Sequence, residues 1–149
     1  MKLVCGFDHA GETLRESVIE ALRAEGHEVD DLGTCDDYPD AALRVATAVH
    51  EKEAARGIVV CGSGAGVSVA AAKLEGIRAA CCHDHYSAAQ CVSHDDCNVL
   101  CLGARVIGPA VAGELAVAFA DAEFSGEERH ARRLAKIETL ERDGWDASL

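Results

Sequence analysis

The run Gly57-Ile58-Val59-Val60-Cys61 ends in a thiol and passes directly into Gly62-Ser63-Gly64-Ala65-Gly66. A continuous apolar run of this length reads as a buried parallel strand. Closely spaced glycines then let the turn bring several backbone N–H groups to one point at the start of a helix. Such a field favours thiolate over thiol, and the thiolate is the reactive form. The same residues also make an ordinary strand-to-helix turn beside a buried cysteine. Nucleotide binding is disfavoured, because Val67 stands where the dinucleotide fingerprint needs its third glycine and no Gly-Lys-Ser/Thr follows.

Three further groups could do chemistry. Asp8-His9 pairs a proton acceptor with a side chain that titrates near neutrality, suited to a sugar hydroxyl or a phosphate and equally suited to capping the next helix. Arg129 and Arg133 are four residues apart, on one face of a helix, where two guanidinium forks match a phosphate. The alternative is a solvated basic face balancing Glu127, Glu128 and Glu138. Cys81, Cys82, His83, Asp84, His85, Cys91, His94, Cys97 and Cys101 crowd into one stretch, but without a paired Cys-x-x-Cys, and Cys81 and Cys101 fall in expected strands. Buried free cysteine is ordinary core material, so no metal and no cofactor is expected.

Apolar runs alternate with helical patterns along the whole chain, the signature of a parallel sheet with helices on both faces. Strands are expected at 3–7, 27–32, 58–61, 77–82 and 98–102. Helices are expected at 14–25, 39–56, 65–74, 85–93, 109–123 and 127–142. The expectation is a three-layer αβα, Rossmann-like α/β fold with a five-stranded parallel sheet, strand order 2-1-3-4-5, and a C-terminal helix. Residues 1–142 form one domain in this reading, and 143–149 a loosely held tail. Ligands of such sheets collect beyond the carboxyl ends of the strands. Asp8-His9, Asp37-Tyr38-Pro39-Asp40, Cys61-Gly62-Ser63-Gly64 and Gly103-Ala104-Arg105 all follow strands there. His94-Asp95-Asp96 precedes its strand, so as a site it would enter from a neighbouring subunit.

Fourteen Lys and Arg against 26 Asp and Glu give a formal charge of -12, which argues against nucleic-acid or anionic-membrane partners. No apolar stretch approaches the ~18 residues that span a bilayer. Met1-Lys2 leads into a short apolar run with polar residues directly behind it, unlike a secretory leader, so the eight cysteines are expected as reduced thiols in the cytoplasm.

Several ordered motifs together resemble the ribose-5-phosphate isomerase B family, which includes the galactose-6-phosphate isomerase subunits. They are Gly6-Phe7-Asp8-His9-Ala10-Gly11, Asp37-Tyr38-Pro39-Asp40, Cys61-Gly62-Ser63-Gly64-Ala65-Gly66, Gly76-Ile77-Arg78-Ala79-Ala80, His94 to Leu100, Gly103 to Gly108, and Arg129-His130. The resemblance runs from Leu3 to about Ile137. It implies a metal-free enzyme that interconverts phosphorylated aldoses and ketoses, as a homodimer or tetramer with sites shared between chains.

By that resemblance Cys61 removes the C2 proton, and Gly62, Gly64, Ala65 and Gly66 supply backbone N–H groups to the enediolate. Ser63 relays protons between the two oxygens, and His94 opens the sugar ring. Asp8 and Tyr38 bind the sugar, while His9, Arg105, Arg129 and Arg133 hold the phosphate. The chain departs from the pattern at Asp95, where the family has an asparagine that holds the enediolate oxygen, and at Ala41, where many members have an aromatic. A protonated carboxyl at Asp95 could still donate a hydrogen bond. Ribose 5-phosphate is the first expected substrate, with tetrose and hexose phosphates as alternatives, and a sugar-phosphate sensor without turnover as the reading from another class.

Overall fold

The computed structural model describes residues 1–148. In chain order its elements are β1 (Lys2–Asp8), a 3-10 turn (Gly11–Leu14), α1 (Arg15–Ala24), β2 (Glu28–Cys35), α2 (Tyr38–His50) and β3 (Arg56–Cys61). These are followed by α3 (Ala65–Ala71), β4 (Ala79–Cys81), α4 (His85–Asp95), β5 (Val99–Gly103), α5 (Pro109–Asp121) and α6 (Glu128–Asp143). A second 3-10 turn, Gly144–Asp146, carries a fully exposed Trp145, and Leu149, the end of the expected tail, lies outside the described residues.

All strand pairings are parallel, and the fold is a three-layer, Rossmann-like α/β architecture. Successive side chains of a strand point to opposite faces, so a strand covered on both sides is apolar throughout. Leu3, Cys5, Phe7, Ile58, Val60, Leu100 and Leu102 face the core shared with α1, α4 and α5. Val4, Val59, Cys61, Val99 and Cys101 face α2 and α3.

The strand order is β2-β1-β3-β5-β4, so the expected order 2-1-3-4-5 is wrong in its last two places. The reason is burial. β5 is buried at all five positions and pairs with β3 on one side and β4 on the other. β4 has only three residues, small and partly exposed, and these suit an edge. The exchange positions the site: Gly103 pairs with Cys61, and the segment after β5 folds directly over the turn after β3.

Candidate active site

Four strand ends converge around Cys61. Its side chain is 4% exposed at the last residue of β3, and its Sγ accepts a hydrogen bond from the Gly64 N–H at 3.1 Å. Gly64 has φ +78°, a conformation that L side chains avoid. That turn carries the loop back over its own sulfur. The Ala65 N–H donates to Ser63 Oγ at 3.3 Å, which keeps the exposed Ser63 hydroxyl beside the loop. α3 stops at Ala71, earlier than expected.

The loop is clamped from β5. The Ala104 N–H donates to the Cys61 carbonyl at 2.8 Å and the Arg105 N–H to the Gly62 carbonyl at 2.9 Å. A Cβ on Gly62 would lie 3.6 Å from Arg105 Cζ, so the guanidinium sits over the glycine. A Cβ on Gly66 would lie 3.0 Å from the Tyr38 ring, which closes the other side. Cys81 Sγ donates to the Ser63 carbonyl at 3.9 Å from behind, and burial, then the nearby Cys82 and Cys61, push its thiol up.

β1 supplies Asp8, 4% exposed, whose Oδ1 accepts from the N–H groups of Ala10 and Gly11 at 2.9 and 2.7 Å. The capping role is therefore real, and it leaves Oδ2 for a ligand. His9 is exposed, and its Nδ1–H donates to the Asp36 carbonyl at 2.9 Å, which orients the ring and leaves Nε2 outward. Asp8, His9, Tyr38, Gly62, Ser63, Gly64, Ala65, Gly66 and Arg105 are thus gathered around Cys61.

His94, Asp95, Arg129 and Arg133 are not. α4 returns His94 and Asp95 to the amino end of β5, the opposite end of the strands from Cys61. There the His94 ring stacks on His130 of α6 with centroids 4.0 Å apart, and Gln90 bonds to His94 Nδ1 at 2.8 Å. Arg129 pairs with Glu127 at 2.8 Å, and Arg133 lies exposed on the same helix.

Two residues have structural roles that the sequence reading did not give them. His130 is 1% exposed, bonds through Nδ1 to Ser125 Oγ at 2.6 Å, and is held below the usual imidazole range by burial, His94 and Arg129. It figured in the sequence reading only as part of the Arg129-His130 motif. His83 Nε2 accepts the Gly103 N–H at 2.9 Å and so steadies the strand end opposite Cys61. Among the described residues no group of three or more His, Cys, Asp or Glu is arranged to hold a metal ion, and the crowded thiols are divided between the two faces of the sheet.

Residues 3–137 match the family model described as Ribose/Galactose Isomerase. Ribose-5-phosphate isomerase B of Escherichia coli is 40% identical over 144 residues, covering 94% of this chain and 96% of that protein. D-erythrulose-4-phosphate isomerase of Pectobacterium atrosepticum is 39% identical over 131 residues, covering 85% and 86%. The structure of Trypanosoma brucei type B ribose 5-phosphate isomerase superposes with a TM-score of 0.90 at 46% identity, covering 94% of this chain and 98% of that one. With a sheet, strand-end loops and sequence shared over nearly its whole length, the chain belongs to the ribose/galactose isomerase family and is an isomerase.

Proposed function

We propose that the chain interconverts the aldose and ketose forms of a small phosphorylated sugar, ribose 5-phosphate and ribulose 5-phosphate before others, through an enediolate with Cys61 as base. The observation that carries this reading is the hydrogen bond from Gly64 N–H to Cys61 Sγ, at a point where Asp8, Ser63 and Arg105 also converge. A thiolate accepts such a bond more strongly than a thiol. Cys61 takes the proton from C2 and returns it to C1, while Ser63 moves the hydroxyl proton between O1 and O2. The loop amides meet the negative oxygen as it develops. Asp8 Oδ2 accepts from a sugar hydroxyl, and Arg105 with His9 holds the phosphate.

His94 opens the sugar ring, and Arg129 and Arg133 complete the phosphate grip, from a second copy of the chain. Two features support a homodimer with shared sites. These residues lie across the sheet from Cys61, and α6 leaves Ile137 and Leu140 exposed at 40% and 48%, an apolar stripe that a second copy would cover. The work is done in the cytoplasm, where free thiols stay reduced. Among the described residues no helix is long and apolar enough to cross a membrane.

Exchange of the C2 hydrogen with solvent tests the reaction. The native chain should wash the label from ribose 5-phosphate, and Cys61→Ala should lower turnover by roughly 10²–10⁴-fold, the range of a lost general base, with little change in ligand affinity. Unchanged exchange would remove Cys61 as the base. A turnover screen over four- to six-carbon aldose phosphates ranks the substrates, and a tetrose phosphate outpacing ribose 5-phosphate would reassign the first of them.

A further inference from the structure

β5 runs on to Gly103, but its neighbour β4 ends at Cys81. The parallel register sets Ala79 opposite Val99, Ala80 opposite Leu100 and Cys81 opposite Cys101, so a longer β4 would bring His83 opposite Gly103. The main chain has already turned away there toward α4, whose first turn Asp84 caps by accepting the Ser87 N–H at 2.8 Å. Gly103 is nevertheless buried, and a buried N–H without a partner is costly. The His83 side chain takes the place of the missing ladder: its Nε2 accepts the Gly103 N–H at 2.9 Å. An imidazole nitrogen accepts only when it carries no hydrogen, so the ring proton sits on Nδ1. Cys82, buried directly before it, and Asp84, fixed at the helix cap directly after it, hold the ring in place.

Gly103 is where this bond meets the site. A Cβ there would lie 2.5 Å from the Ser63 carbonyl carbon and 2.8 Å from Ser63 Cα, so the two backbones touch with no side chain between them. The Gly103 carbonyl accepts from the N–H groups of Val106 and Ile107 at 2.9 and 3.2 Å, which turns the chain back over the loop. Within that turn the Ala104 and Arg105 N–H groups reach the carbonyls of Cys61 and Gly62. A shift of Gly103 is therefore a shift of Ser63, Cys61 and Arg105 together.

We propose that His83 is a positioning residue for the isomerisation: by accepting the Gly103 N–H it sets the end of β5, and through it the loop that carries Cys61 and Ser63. This rests on the reading of that loop as the catalytic one. The property required is an acceptor at the place of Nε2, which a glutamine Oε1 supplies and alanine does not. With alanine the Gly103 N–H must seek water, which draws the strand end away from Ser63, and a misplacement of about 1 Å can cost about 10²-fold in rate. Binding is spread over groups that His83 does not hold, Asp8 and His9 after β1 among them, whereas proton transfer depends on the loop. Turnover should suffer more than affinity.

The test compares His83→Ala and His83→Gln with the native chain in kcat and KM for ribose 5-phosphate, or for the aldose phosphate that outpaces it, and in hydrogen exchange of the Gly103 amide by NMR. His83→Ala should lose about 10-fold in kcat with KM held within about twofold, and its Gly103 amide should lose protection. His83→Gln should restore most of both. Native kcat in His83→Ala overturns the proposal, and so does a His83→Gln as slow as His83→Ala, which would make the packing of the ring the cause. Should the alanine variant fail to fold, the glutamine variant decides: near-native kcat with a protected Gly103 amide upholds the proposal, and slow turnover with that amide protected overturns it. Cys61→Ala, assayed alongside, keeps the two readings apart. Full turnover there removes Cys61 as the base, and a kcat that still follows the acceptor on His83 then upholds the positioning of Ser63 and the loop amides.

Discussion

Gly64 shows how one residue sets the chemistry of the site. Its positive φ aims the N–H at Cys61 Sγ, and a Cβ there would lie 2.7 Å from Cys81 Sγ and 3.1 Å from the Leu102 backbone. Gly64→Ala should therefore lose about 1–2 kcal/mol to the left-handed backbone alone, more from the clash, and about 10²-fold in turnover through displacement of the loop. Thermal unfolding and steady-state kinetics check both. A second change, Cys81→Ala, should relieve the clash with sulfur and leave the backbone part intact. The turn after β3 was legible in the sequence because closely spaced glycines at the end of an apolar run mark a strand-to-helix turn, whether or not the thiol beside it reacts. His83 was not, because its bond to the Gly103 N–H joins residues that meet only once the strand order is known.

Among the elements, the ends of β3 and α6 make distinct predictions. Arg56, half-buried at the start of β3, donates to the carbonyls of Phe119 and Ala120 at 2.8 and 3.0 Å and lies 5.6 Å from the centre of the Phe119 ring. It thereby caps the carboxyl end of α5, where helix carbonyls lack partners. Burial lowers its pKa from the usual arginine value. Arg56→Met keeps the apolar stem but strands both carbonyls, and should destabilise the fold by about 1.5–3 kcal/mol in denaturant titrations.

His130 links α6 to α4 through its stack on His94. Its folded pKa lies below the ordinary 6.5, so the unfolded chain takes up the proton first as the pH falls. Stability then declines from about pH 6.5 downward through the folded value. Melting temperatures across that range should show a decline that His130→Phe removes, and an identical slope in the variant would assign the effect elsewhere. Helix positions were legible from their apolar spacing. β2 runs on to Cys35, beyond the expected end at Leu32, because Gly33 and Thr34 hide an edge strand that the pairing of Asp8 with Cys35 reveals.

For the whole molecule, periodicity predicted a five-stranded parallel sheet but carried no information on which strand lies between which. The inward place of β5 was visible only in its uninterrupted burial. The resemblance implied a site shared between chains, and within one chain His94 lies before the amino end of β5, beside the helix that carries the two arginines, while Cys61 lies at the carboxyl end of β3. A shared site makes a direct prediction. Cys61→Ala and His94→Ala, each nearly inactive alone, should regain activity when unfolded and refolded together, because a mixed dimer contains one site with both native residues. No recovery despite mixed dimers confirmed by native mass would show that each chain works alone. The acidic surface adds a requirement: with -12 overall, a phosphorylated substrate meets long-range repulsion that the phosphate grip proposed for Arg105, Arg129 and Arg133 would offset locally, so binding should tighten with moderate salt.

The exchange of the last two strands also bears on the order of synthesis. β2, β1 and β3 can assemble as soon as they leave the ribosome, but β4 emerges with no neighbour, since the strand it pairs with is made later. Until Val99–Gly103 follows it out, the nascent protein carries an unzipped flank, and a chaperone or a translational pause acting anywhere on this chain would find its substrate in that interval.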